Sequence, residues 1–240
     1  MSLSVLQRGT GLFRDVVVFY AARDPDMIRG FLWPEACALA DPSGPYTIVG
    51  ADDIEPLGKV VARARREAGP FSVRAVALVG FGGGCRAVRE QIREGARPDV
   101  VIALDGPSGP PGPIPPDEYY LGPWRVIADR ARRGECLAVL THTAQTYMEA
   151  LPPGQRYPSP LTVLREVTEL MLPLLAPGDP PIQTRDGGLV IRSYPSRSLD
   201  RIAHAAQWTA ALPRIVSDLV RPWLDEMDFT PTSLPRWQTA

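Results

Sequence analysis

The stretch Ala75-Val76-Ala77-Leu78-Val79-Gly80-Phe81, followed by Gly82-Gly83-Gly84 and Cys85-Arg86-Ala87-Val88-Arg89-Glu90-Gln91-Ile92, constrains the fold more than any other part of the chain. It predicts a buried strand, a corner made only of glycine, and an amphipathic helix. Two chemistries use such a corner. A nucleophile elbow sets a strained Ser or Cys between small residues, so that strand and helix can approach closely. A dinucleotide-binding turn offers backbone amides to a pyrophosphate at the helix N-terminus. Gly82 stands where an elbow would carry its serine, and a glycine has no atom with which to attack a carbonyl.

Strand-like and helix-like segments alternate around this corner. Val16–Tyr20 reads as a strand, followed by helix-like sequence at Met27–Leu39 that Pro34 interrupts. A short strand at Tyr46–Val49 precedes a helix at Ile54–Ala68, which carries Ile54, Leu57, Val61 and Ala64 on one face and stops at Gly69-Pro70. The strand at 73–81 and the helix at 86–94 come next, then a strand at Val100–Leu104 that ends at Asp105-Gly106. Gly106–Pro116 holds six prolines and three glycines, which makes it a stiff loop. Further segments predict helix at 118–133, strand at Cys136–Leu140, helix at 161–175, strand at Gly188–Ser193 and a helical run Ser198–Leu224 kinked at Pro213. Strands apolar on both faces that alternate with helices predict a doubly wound, mostly parallel α/β sheet covered on both sides. No linker divides the chain, so one domain over residues 1–240 is expected.

Composition narrows the partners. A net charge of −1 gives no reason to expect nucleic acid or an anionic membrane surface. Lys59 is the only lysine, so the basic residues are nearly all arginine. Cys37, Cys85 and Cys136 are odd in number and lack CxxC spacing, which indicates neither a disulfide framework nor a zinc site. No apolar run reaches the roughly 20 residues that span a bilayer. A cytoplasmic protein without cofactor or metal is the expectation, its oligomeric state open.

In such a sheet, ligands bind beyond the carboxyl ends of the strands. Ala21-Ala22-Arg23 follows the first predicted strand, Gly82-Gly83-Gly84 the third, Asp105 the fourth and His142 the fifth, while His204 lies beyond the last. Both histidines of the chain therefore fall on this edge. With these residues in place the chain resembles the alpha/beta-hydrolase superfamily of esterases and lipases, whose elbow carries G-x-S-x-G. Gly80-Phe81-Gly82-Gly83-Gly84 matches that elbow, Asp105 the acid and His204 the general base, in the family's order of nucleophile, acid and histidine. The resemblance implies a small ester, amide or acyl ligand, and anion-stabilising backbone amides near Ala21, Ala22 and Gly83. It leaves position 82 without a nucleophile, so hydrolysis would be impaired or unconventional.

Other readings stay open. Cys85 satisfies small-x-Cys-x-small with Gly83 and Ala87 and is an alternative nucleophile, although a buried cysteine packing helix on sheet is the simpler reading. Ser108 is a solvated loop serine or a further hydroxyl near the edge. Asp105 is a functional acid or a turn carboxylate. His142, within Thr141-His142-Thr143, is a second candidate base, a pocket-lining residue or a hydrogen-bonded loop histidine. Trp124, Trp208 and Trp223 read as packing residues. A catalytically inactive pseudohydrolase that binds a ligand is the first alternative. A Rossmann-type dinucleotide protein is the second, with Gly80-x-Gly82-x-x-Cys85 as its turn and Asp105 as its ribose acid.

Overall fold

A computed structural model describes residues 3–21, 44–51, 54–107, 117–143, 152, 158–197 and 200–227. The apolar runs form eight strands: β1 (Leu3–Gln7), β2 (Phe13–Ala21), β3 (Tyr46–Ala51), β4 (Ser72–Phe81), β5 (Val100–Leu104), β6 (Leu137–His142), β7 (Ile182–Asp186) and β8 (Leu189–Ser193). They lie in one sheet of order β1-β3-β2-β4-β5-β6-β8-β7. The six central strands are parallel, while β1 pairs antiparallel with β3 and β7 antiparallel with β8. Register aligns Ala21 with Phe81, Phe81 with Leu104 and His142 with Ser193, so the carboxyl ends of β2, β4, β5, β6 and β8 share one edge.

Helices α1 (Leu57–Ala68), α2 (Cys85–Arg93), α3 (Glu118–Arg132) and α4 (Pro160–Thr168) cover one face of this sheet. Val61, Val88, Ile127 and Leu164 pack there with Val16, Leu78 and Val101 of the strands. The other face takes a single helical run, α5 (201–226), through Trp208, Leu212, Ile215 and Leu224 against Phe19, Val79 and Ile102. The result is the predicted three-layer α/β sandwich. Each of these side chains is at most 2% exposed, and such burial stabilises by about 1.5–3 kcal/mol per large apolar side chain. Arg74 clamps Asp15 with bonds of 2.8 and 2.5 Å, tying β4 to β2 at the end of the sheet away from the corner.

Several elements differ from the sequence expectation. The helix expected over 161–175 stops at Thr168, because Glu169 turns left-handed at φ 57° and Pro173 bars continuation. The helix expected from Ile54 starts at Leu57, one residue after Pro56. The strand expected to end at Leu140 runs on to His142, held by pairing of Thr141 and His142 with β8. The break expected at Pro213 takes the form of π-helical turns at Gln207–Ala211 and Val216–Val220, shortly before Pro213 and Pro222. A wider turn moves the carbonyl that a proline ring would strike. Strands β1 and β7 were not expected. The helix at Met27–Leu39, Cys37, Ala22 and Ser108 fall outside the described residues, as does most of the proline-rich loop.

Candidate functional site

Strand β4 ends at Phe81, Gly82–Gly84 form one tight 3-10 turn, and α2 starts at Cys85. A Cβ on Gly80 would lie 2.9 Å from the Cα of Cys85 and 2.9 Å from a methyl of Val88, so only glycine lets the helix return this closely over the strand. Gly82 has φ +51°, the left-handed backbone that side chains adopt under strain. A Cβ built there points at one residue. It would meet Nε2 of His204 at 3.0 Å and Cε1 at 3.2 Å.

The other ring nitrogen of His204 faces Asp105, with Nδ1 2.8 Å from Oδ2. Asp105 follows β5 in a left-handed conformation, φ 46°, unusual for a residue with a side chain. Two threonines hold it there. The Asp105 amide donates to Thr141 Oγ1 at 3.0 Å, and Thr143 donates its amide to Oδ1 and its hydroxyl to Oδ2, each at 2.8 Å. The carboxyl side chain is fully buried and every bond to it comes from a donor, as a carboxylate requires. A carboxylate only accepts, so Nδ1 of His204 carries the proton. In the neutral ring Nε2 is then the acceptor, and it is the atom turned toward position 82.

His204 is fixed in two further ways. It sits in the first turn of α5, where Asp200 Oδ1 accepts from the amides of Ile202 and Ala203 at 3.0 and 2.9 Å. Its ring stacks on Phe81, centroids 4.5 Å apart and planes at 26°. Phe81 in turn leans on Trp208, which meets Phe19 edge-on at 5.4 Å. The imidazole keeps 23% of its side-chain surface exposed. An imidazole with a buried carboxylate on one nitrogen and a free acceptor on the other can take a proton from a hydroxyl or a water held at position 82.

The remaining candidates separate from this group. His142 is 1% exposed, with Nε2 2.8 Å from Ser193 Oγ and Nδ1 3.4 Å from the Thr143 carbonyl. Burial lowers its pKa to about 4, so it is neutral at ordinary pH. Both nitrogens are engaged, by Ser193 and by the Thr143 carbonyl, and the ring is buried, which corrects its reading as a second base or a pocket-lining residue. Cys85 is fully buried, and burial followed by the nearby Asp105 charge pushes its thiol up, whereas a nucleophilic cysteine needs a lowered thiol and access. It packs against Gly106, and its reading as an alternative nucleophile is likewise corrected. Gly83 is exposed on the turn, and Ala21 ends β2 beside Phe81. Trp124 and Trp208 are core residues, as expected.

Thr141 and Thr143 were missed as functional partners. Their signal was in the sequence: alternation along a strand puts the two hydroxyls flanking His142 on one side and the imidazole on the other. Phe81 and Asp200 left no comparable trace, because stacking on a distant helix and a cap gain meaning only once His204 is placed.

No protein-family model matches the chain, and no curated protein matches it either. Among solved structures, the crystal structure of TT1662 from Thermus thermophilus is similar over 89% of this chain and 90% of that one, with 16% sequence identity and a TM-score of 0.49. Among the described residues, no helix is long and apolar enough to cross a membrane.

Proposed function

We propose that this chain is an alpha/beta-hydrolase-like protein whose Asp105–His204 pair serves a position that has lost its serine, and that it cleaves an ester or amide through water. One observation carries the reading: the Cβ direction of Gly82 meets Nε2 of His204 at 3.0 Å while Asp105 holds Nδ1 at 2.8 Å. In the proposed step, Nε2 takes a proton from a water as the water oxygen bonds to the acyl carbon. The proton then passes to the departing alcohol or amine as its bond to that carbon breaks, leaving a carboxylic acid. The amide of Gly83 is proposed to stabilise the oxyanion. Asp105 keeps the productive tautomer and balances the imidazolium.

The ligand-binding pseudohydrolase shares this geometry and differs only in turnover. The dinucleotide reading is less well supported, since the Asp105 carboxyl is buried and already accepts from Thr143 and His204, with no surface left for a ribose.

Gly82→Ser tests the proposal. His204 must yield by a few tenths of an ångström for the new Cβ, which its exposed edge permits. The variant is expected to hydrolyse short p-nitrophenyl esters at least about 100-fold faster than the parent and to label with a fluorophosphonate, since the serine-histidine-acid unit contributes several orders of magnitude. A folded Gly82→Ser protein that neither hydrolyses nor labels rejects the reading. A parent with no detectable hydrolysis beside an active variant selects the pseudohydrolase.

A further inference from the structure

A cleft of about 630 Å³ is lined by the glycine corner, α2 and the start of α3. Gly82 and Gly83 line it together with Arg86, Arg89 and Arg93 and the carboxylates of Glu90 and Glu94. These arginines recur at the spacing that puts them on one helical face. Two of the three are already committed. Glu90 takes Arg89 at 2.7 Å and Arg93 at 2.6 Å, and the guanidinium carbons lie over Tyr120 at 4.4 Å and Tyr119 at 4.9 Å. Arg86, nearest in sequence to the corner, is exposed and has no carboxylate partner among the described residues.

A second donor points the same way. Trp124 also lines the cleft, is 1% exposed, and its indole Nε1 finds no acceptor among the described residues. Buried donors are normally satisfied, so an unmatched one in the wall of a cleft that also holds an arginine without a carboxylate partner fits an acceptor brought from outside. A planar guanidinium favours a carboxylate, which it can hold through two parallel hydrogen bonds.

We infer that this cleft takes a carboxylate carried on the acyl portion of the substrate, with Arg86 as the specificity-determining residue. The inference rests on the proposed reading of Gly82 and deepens it, by naming a monoester or monoamide of a dicarboxylic acid as the substrate class.

The test compares a p-nitrophenyl monoester of a dicarboxylic acid with the neutral p-nitrophenyl ester of matching chain length, both presented to Gly82→Ser. The anionic ester is expected to have a kcat/KM at least about tenfold higher, and Arg86→Gln in the same background to bring the ratio between the two esters close to one. Equal rates for the two esters, or a preference that survives Arg86→Gln, overturns the inference and leaves the reading of Gly82 intact. If Gly82→Ser cleaves neither ester, the reading of Gly82 fails and calorimetry decides the inference separately. In that case glutarate is titrated into the unaltered protein and into Arg86→Gln. Binding weakened about tenfold by the substitution supports the carboxylate site, and no binding, or equal binding, rejects it.

Discussion

The edge where the strands end holds two histidines in opposite circumstances. His204 keeps 23% of its side-chain surface, has one nitrogen on a buried carboxylate, and turns the other to a residue with no side chain. His142 is sealed at 1% exposure, and Ser193 and the Thr143 carbonyl occupy its two nitrogens. Their positions by chain order are equally suggestive. What separates them is which face of a strand or helix each side chain leaves from, and so whether it meets a carboxylate or a hydroxyl. Thr143 joins the two sites, giving its carbonyl to His142 and its amide and hydroxyl to Asp105.

The sharpest way to break this contrast is kinetic. In the Gly82→Ser background, Asp105→Asn or His204→Ala is expected to lower kcat/KM by about 10³–10⁴-fold, the scale set by losing the tautomer or the base. His142→Gln should change it by less than about tenfold, because that ring reaches the site only through Thr143. A loss from His142→Gln as large as that from His204→Ala would show that the two imidazoles work together.

The contrast is sharpened, at a smaller scale, by acid. His142 has a folded pKa of about 4, lowered first by burial, against about 6.5 in an unfolded chain. Between those values the unfolded chain binds the extra proton. The neutral ring's contribution to stability is therefore fully present above pH 6.5 and is lost as pH falls toward 4. Each tenfold difference in proton affinity between the two states is worth about 1.4 kcal/mol, so the loss amounts to roughly 3 kcal/mol. Urea unfolding from pH 7 to pH 4 should show this slope, and His142→Gln should flatten it. An unchanged slope in that variant would assign the acid sensitivity to other groups.

The parts of this picture that chain order determines were readable in advance. Strand-helix alternation gives a parallel sheet, a parallel sheet gives a shared carboxyl edge, and that edge names Gly82, Asp105, His142 and His204 together. The resemblance singled out His204, but the residues by themselves left His142 open, because the choice depends on side-chain direction at positions 105 and 204, one in a left-handed turn and one in the first turn of a helix. The burial of Cys85 was the simpler expectation, but its seat against Gly106 was hidden, since that is a contact between segments distant in sequence. Strand β7, Ile182-Gln183-Thr184-Arg185-Asp186, escapes detection because it is an edge strand with no buried face and so shows no alternation.

The smallest expected effect concerns how firmly α5 presents His204. Asp200 accepts two amide hydrogens of the first turn, and its carbonyl accepts from the His204 amide at 3.0 Å. Asp200→Ala removes the side-chain cap and should cost about 1 kcal/mol of stability by denaturant unfolding, with Asp200→Ser recovering most of it. Activity of Gly82→Ser should fall only a few-fold in Asp200→Ala, because Asp105 and the face of Phe81 still hold the imidazole after the turn frays. A rate loss approaching that of Asp105→Asn would mean that the helix start, and not the carboxylate, sets the ring's direction. The difference between the two histidines would then lie in backbone placement alone.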